Sequence, residues 1–210
     1  MALTLLAAFR TNLRIDLGDP NPPATVWSDA DLDRHIAHAV EDLSRADPRE
    51  ETDSIAISGN VVSISTLTTP VPLRVVAVEF PQDQEPKVFE RFSRWETDLT
   101  LIDLSADQTG TARVYTHVER TLTAGASTLE EHHEPIVALG AAGYALRQAA
   151  FRGVNTLNTG GANVDRDYRS AGADALRDFR AALRELKGVR FSQMYAPVEA
   201  MRTQTTDPGP

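Results

Sequence analysis

The sequence predicts an α+β fold: a four-helix unit built from both chain ends, carrying an inserted small antiparallel β module, either a sandwich or a barrel. Three observations predict it. Before residue 50 and again after residue 130, apolar residues recur every three to four positions, the period of an amphipathic helix. Between residues 54 and 118 the period falls to two, with turn signals every eight to twelve residues, which suits about six short strands. Helices at both ends of a chain bury their stripes most simply against each other.

Taken in order, Leu5, Phe9, Leu13 and Leu17 mark a first helix, which the Gly18-to-Pro23 stretch ends. Ser28 reads as the N-cap of a second helix, with Asp29 and Asp31 in the first turn, where the helix dipole favours acids. Its apolar stripe is Leu32, Ile36, Ala39, Val40 and Leu43, and it stops before Asp47-Pro48. Ile55 and Ile57, then Val62 and Ile64, alternate around Gly59-Asn60, which reads as a hairpin turn. Further strands are expected at Leu73–Phe80, Val88–Phe92, Leu99–Leu104 and Thr111–Val118. Ser127-x-x-Glu130 reads as a capping box, with Pro135 in the first turn of a third helix. That helix is rich in Ala and Gly from Ile136 to Phe151, the composition of a helix that others approach closely. A fourth helix runs from about Val164 to Leu186 and ends at Gly188. The expected domains are therefore 1–50 and 123–188 as two helical pairs, 51–122 as the β module, and 189–210 as a C-terminal arm ordered only on binding.

Composition sets outer limits. The 210 residues hold 41% hydrophobic and 24% charged residues, ordinary globular chemistry. With no cysteine, thiol nucleophiles, Cys-ligated zinc, iron–sulfur clusters and disulfides are excluded. No run has the length of a membrane span, and the first residues lack the pattern of a signal peptide, so an intracellular soluble protein is expected. The net charge of −9 argues against a chain that coats polyanions. It hides an asymmetry: nine acids against three arginines from Ser28 to Asp53, and ten Lys/Arg against six acids from Gly140 to Arg202. Either both are solvated helix faces, or they are poles that attract each other's copies. On the second reading Asp29, Asp31 and Asp33 face Arg177, Arg180, Arg184 and Lys187 across a subunit interface.

No motif carries catalysis. His132-His133 lie about 100° apart on a helix with no third ligand at helical spacing, so they read as a solvated helix start. Asp29, Asp31 and Asp33 lack the Gly and Glu of a calcium loop. His35 and His38 fall off the apolar stripe and read as exposed. Gly-x-Ser-x-Gly is absent, and Gly153 to Gly161 lacks a phosphate loop's Lys-Ser/Thr. No catalytic residue, metal or cofactor is expected. The arginines of the last two helices form either a phosphate-tracking surface, a salt-bridge face toward another protein, or a solvated face. Phe191, Met194 and Tyr195, placed beyond the last helix, either fold back or anchor in a neighbouring chain.

With this layout, the chain resembles the head–tail connector (adaptor) proteins of tailed bacteriophages and prophages. The resemblance lies in Trp27-Ser28-Asp29-Ala30-Asp31-Leu32 before the second helix, the β insertion, the helix from Ile136 to Leu146, and Tyr168 to Gly172 with Phe179 to Leu183. It covers most of residues 1–195 by pattern and order. It implies a virion protein of the neck, assembled in the host cytoplasm: a ring, commonly of twelve copies, that docks under the portal and extends the DNA channel. Such a ring carries the next neck or tail-completion protein and lets DNA pass without sequence-specific binding. It also implies that the C-terminal segment grips the portal, here through Val189, Arg190, Phe191, Met194, Tyr195, Val198 and Met201. The alternatives are a non-ring structural or carbohydrate-binding module centred on the β part, for which Trp95 and Tyr115 are the suitable aromatics, and an enzyme with a spatially assembled site.

Overall fold

The computed structural model describes residues 5–19, 25–67, 72–153 and 164–194. In chain order the elements are α1 (Leu6–Asp16), α2 (Asp29–Ala46), β1 (Arg49–Ser58), β2 (Val61–Ser63), β3 (Arg74–Glu79), β4 (Phe89–Glu90), β5 (Phe92–Trp95), β6 (Asp98–Leu101), β7 (Thr109–Val118), α3 (Glu134–Gly153) and α4 (Val164–Met194). The fold is α+β, with helices at both chain ends and two small antiparallel sheets between them. Two compact units result, one from residues 1–47 with 120–190 and one built on 48–119.

In the helical unit, Phe9 and Leu13 of α1, the whole stripe of α2, and Val137, Ala141, Ala145 and Ala149 of α3 share one core with Leu176 and Phe179 of α4. Ser28 caps α2 as expected, its Oγ accepting from the Asp31 N–H at 3.1 Å. Trp27, only 1% exposed, anchors the entry to α2 by donating Nε1–H to the Ala145 carbonyl at 3.0 Å. The small residues of α3 explain how α4 comes so near. A Cβ at Gly140 would stand 2.8–2.9 Å from the Phe179 ring, and one at Gly143 would stand 2.8 Å from Leu176 Cγ. From the other side, one at Gly172 of α4 would lie 3.1 Å from the Arg147 backbone nitrogen.

In the β unit the strand orders are β1-β7-β3-β4 and β2-β6-β5, every pairing antiparallel. Ile55, Ile57, Val75, Val78, Ala112 and Val114 from the first sheet share a core with Val62, Leu99 and Leu101 from the second, the arrangement of a small sandwich.

Four local expectations are corrected. Gly59-Asn60 is not a hairpin turn: β1 and β2 belong to different sheets, the Gly59 N–H donates to Gln108 O and the Asn60 carbonyl accepts from the Leu101 N–H, so the dipeptide turns a corner between sheets. The Val88–Phe92 run is split, β4 pairing with β3 and β5 with β6. The capping box is Glu130 with His133, at a short 3₁₀ turn before α3, not Ser127 with Glu130. Gly188 does not end α4, whose backbone continues to Met194, so Phe191 and Met194 stand on the helix rather than beyond it. A helix whose earlier turns are held in the core by Leu176 and Phe179 absorbs one glycine at about 1 kcal/mol.

Candidate functional site

The acids expected at a subunit interface find partners inside the helical unit. Asp33 takes Arg10 at 2.9 Å; Asp29 takes Arg14 at 2.6 Å and Arg10 at 3.4 Å. Asp31 receives Arg152 at 3.1 Å, Arg34 at 3.3 Å and Gln148 Nε2 at 3.1 Å, with the Ser28 hydroxyl donating at 2.7 Å. The Gln148 and Ser28 hydrogen bonds, more than the arginine, hold the Asp31 carboxyl well below the usual carboxylate range; the Arg14 hydrogen bond lowers that of Asp29. Gln148 is oriented in turn by His35, whose Nε2 lies 2.7 Å from its Oε1. His35 is buried rather than exposed as expected, and burial pushes its pKa down. His38 is exposed.

On α4, Arg177, Arg180, Arg184 and Lys187 are exposed, and Arg177 is paired with Asp174 and Asp178 at its own surface. The side chains of Val189, Arg190, Phe191 and Met194, and the whole of Tyr195, Val198 and Met201, lie outside the described residues.

A second polar cluster was hidden from the sequence. His133 is fully buried, not part of a solvated helix start, while its neighbour His132 is exposed. Its Nδ1 accepts from the Glu130 N–H at 3.1 Å, and its Nε2 lies 2.9 Å from Asp47 Oδ2. Arg120, 7% exposed, donates Nη2 to the same carboxylate at 2.7 Å, Nε to the Asp47 carbonyl at 2.8 Å and Nη1 to Thr128 O at 3.1 Å. The Arg120 N–H also donates to Ser44 Oγ at 3.0 Å. Asp47 and Arg120 are the residues at which the helical unit is interrupted by the insertion, so this cluster ties its two segments together where they part.

In the β unit, Glu79 is fully buried and accepts from Tyr115 Oη–H at 2.6 Å and from the Asp83 N–H at 2.9 Å, with Lys87 and Arg113 at 3.7 and 3.8 Å. The Tyr115 hydrogen bond leads in holding its carboxyl below the usual range. Tyr115 is thereby committed to a buried carboxylate, whereas Trp95, at the tip of the β5–β6 hairpin, is 80% exposed.

Two surfaces of the helical unit are open and charged. At the C-terminal end of α3, Arg147, Arg169 and Arg180 line a groove of about 360 Å³ with Leu176 at its base and Phe151 along one side. Near the start of α3, Asp16, Glu131 and Glu134 rim a smaller groove of about 250 Å³ lined by Phe9, Leu13 and Pro135. Neither reads from the sequence, because each gathers residues from two helices. Among the described residues no group of three or more His, Asp or Glu is placed to hold a metal ion, and no helix is long and apolar enough to cross a membrane.

No family model matches the chain, and no curated protein matches it by sequence. Among solved structures, the chain is similar to a component of the neck of an empty GTA (gene transfer agent) particle, computed with C6 symmetry. The similarity covers 74% of this chain and 81% of that one, at 13% identity and a TM-score of 0.26.

Proposed function

We propose that the chain is a structural protein of a phage-type neck: a head–tail connector whose copies form a ring under the portal, lengthen the DNA channel and support the next neck or tail-completion protein. The observation that carries this reading is the architecture. Helices from both chain ends share one core, and the β module is inserted in the chain between Asp47 and Arg120, the layout on which the resemblance to connectors rests. The polar chemistry of the described residues supports a structural role, since the buried Glu79 and the half-buried Asp47 carboxylates are engaged by internal donors. In this reading the C-terminal segment from Val189 onward grips the portal, and no step of catalysis belongs to the chain.

Light scattering of the full chain, alone and with the portal protein of the same phage or prophage, tests it. A ring-sized mass, formed alone or on the portal, is the expected result. A 22.9 kDa species that ignores the portal would overturn the reading. Trp95 would then become the residue to examine, as a stacking platform for carbohydrate.

A further inference from the structure

Phe151 is the least expected side chain on the helical unit. It is 64% exposed on the last turn of α3, whereas the apolar residues of the preceding turns are buried or half-buried. It lines the basic groove on one side and, with Tyr144, Gln148 and Arg152, a shallower groove on the other, so it stands as a ridge between two depressions. The Arg147 guanidinium lies 5.6 Å from its ring centroid, a cation–π contact that holds the ring in place and puts positive charge beside it. Among the described residues no ion pair is made by Arg147, Arg169 or Arg180. An exposed aromatic with flanking arginines is the composition of an interface anchor.

The other end of the same helix offers the complement. Phe9 and Leu13, buried at 4% and 1%, and Pro135 line a groove whose rim carries Asp16, Glu131 and Glu134. At about 250 Å³ the groove exceeds the roughly 150 Å³ cavity that takes up a benzene ring, so it has room for one aromatic side chain. Knob and groove are separated by roughly 20 Å of straight helix, at 1.5 Å per residue, so they cannot meet within one chain.

We propose that these two surfaces are the two halves of one contact between copies of this chain: Phe151 inserts into the α1–α3 groove of a second copy, with Arg147 and its neighbouring arginines against Asp16 and Glu131. Because the two halves differ, the contact is heterologous and repeats head to tail, closing a ring or growing a filament according to the angle it sets. This deepens the connector reading and rests on it for the ring, while committing to a contact that the reading does not require.

Sedimentation velocity of the full chain at low and high salt tests the contact. One variant removes the knob (Phe151→Ser with Arg147→Gln), and another spoils the groove (Asp16→Lys with Glu131→Lys). All four positions are exposed, and circular dichroism checks that each variant keeps its helices. The wild type is expected to associate in a concentration-dependent way that salt weakens, and each variant to associate at least about tenfold more weakly. An equimolar mixture of the two variants is expected to recover 1:1 dimers and nothing longer, since each chain keeps one intact half. A wild type that stays monomeric at about 1 mM, a variant that associates like the wild type, or a mixture that recovers nothing would each overturn the contact. So would salt-sensitive binding of duplex DNA by a monomer, lost in the knob variant, which would assign the arginines to phosphate instead. If both variants still enter a ring on the portal at wild-type strength, this contact fails and the connector reading stands. If no ring forms on the portal while the solution contact behaves as described, the connector reading fails and the contact stands.

Discussion

Replacing Gly143 by alanine sets two well-measured effects against each other. In a helix interior the change improves intrinsic propensity by about 1 kcal/mol. Here the new methyl would sit 2.8 Å from Leu176 Cγ, 2.9 Å from Cδ2 and 3.2 Å from the Leu176 backbone nitrogen. Leu176 is 4% exposed and packed in the core, so a rotamer change has nowhere to go; the backbone nitrogen moves only if α4 itself moves. Overpacking of this kind costs about 1–3 kcal/mol. The net expectation is a loss of about 1 kcal/mol, or roughly 2–4 °C in Tm for a chain of this length.

Gly140→Ala meets the Phe179 ring at 2.8–2.9 Å and is expected to lose a similar amount. Gly125→Ala is the control, because an added Cβ there meets nothing within 4 Å. Thermal unfolding followed by helical circular dichroism reads all three. If Gly143→Ala and Gly140→Ala raise Tm, propensity has won and α3 and α4 do not approach as closely as argued.

Two further outcomes follow from the buried polar groups. Arg120→Met keeps bulk but removes the donors to the Asp47 carboxylate, the Asp47 carbonyl and Thr128 O, and is expected to cost about 3–5 kcal/mol in urea unfolding. Arg45→Met, whose partners Glu41 and Asp42 are at the surface, should stay within about 0.5 kcal/mol, and equal effects at the two sites would refute the assignment. His35 has a folded-state pKa below its unfolded value, so the unfolded chain takes up the proton first. Stability is complete above the unfolded pKa of about 6.5 and is lost as pH falls below it. Asp31, also depressed, contributes stability above about pH 4 that is lost at lower pH. His35→Gln should flatten the upper part of the unfolding profile and leave the lower part, and an unchanged profile would show that His35 is not the group responsible.

The helices were legible because their signal is local: the stripe of α2 and its Ser28 cap lie within 18 residues, and each is found where periodicity puts it. The alternation of β7 was equally plain, with Ala112, Val114, Thr116 and Val118 all buried. What escaped were features decided by a distant partner. His35 looks solvated among Arg34, Ala37 and His38, yet it is buried with Nε2 against Gln148, 113 positions away. His133 sits in the polar run Glu130 to Glu134, and only the return of the chain brings Asp47 and Arg120 to it. Gly59-Asn60 carries a hairpin signal in its own residues, but Gln108 and Leu101 compete for its backbone and win.

Charge shows the same division between local and distant information, and it separates two roles. Counting along the chain makes Asp29, Asp31 and Asp33 the acidic pole, yet Arg10, Arg14 and Arg152 already neutralise them inside the helical unit. Charge compensated at 3 Å contributes little field at a distance, so these acids are expected to act more on stability than on steering a partner. The acids of the α1–α3 groove rim, Asp16 and Glu131, are exposed, as is Arg147 at the opposite end of α3. The two sets are therefore expected to part in experiment. Asp31→Asn should lower stability and leave the salt dependence of association unchanged, because its partners are internal. Asp16→Asn should leave stability unchanged and weaken association, most of all at low salt. If Asp31 instead governed association and Asp16 governed stability, the division between internal and outward-facing charge would be reversed.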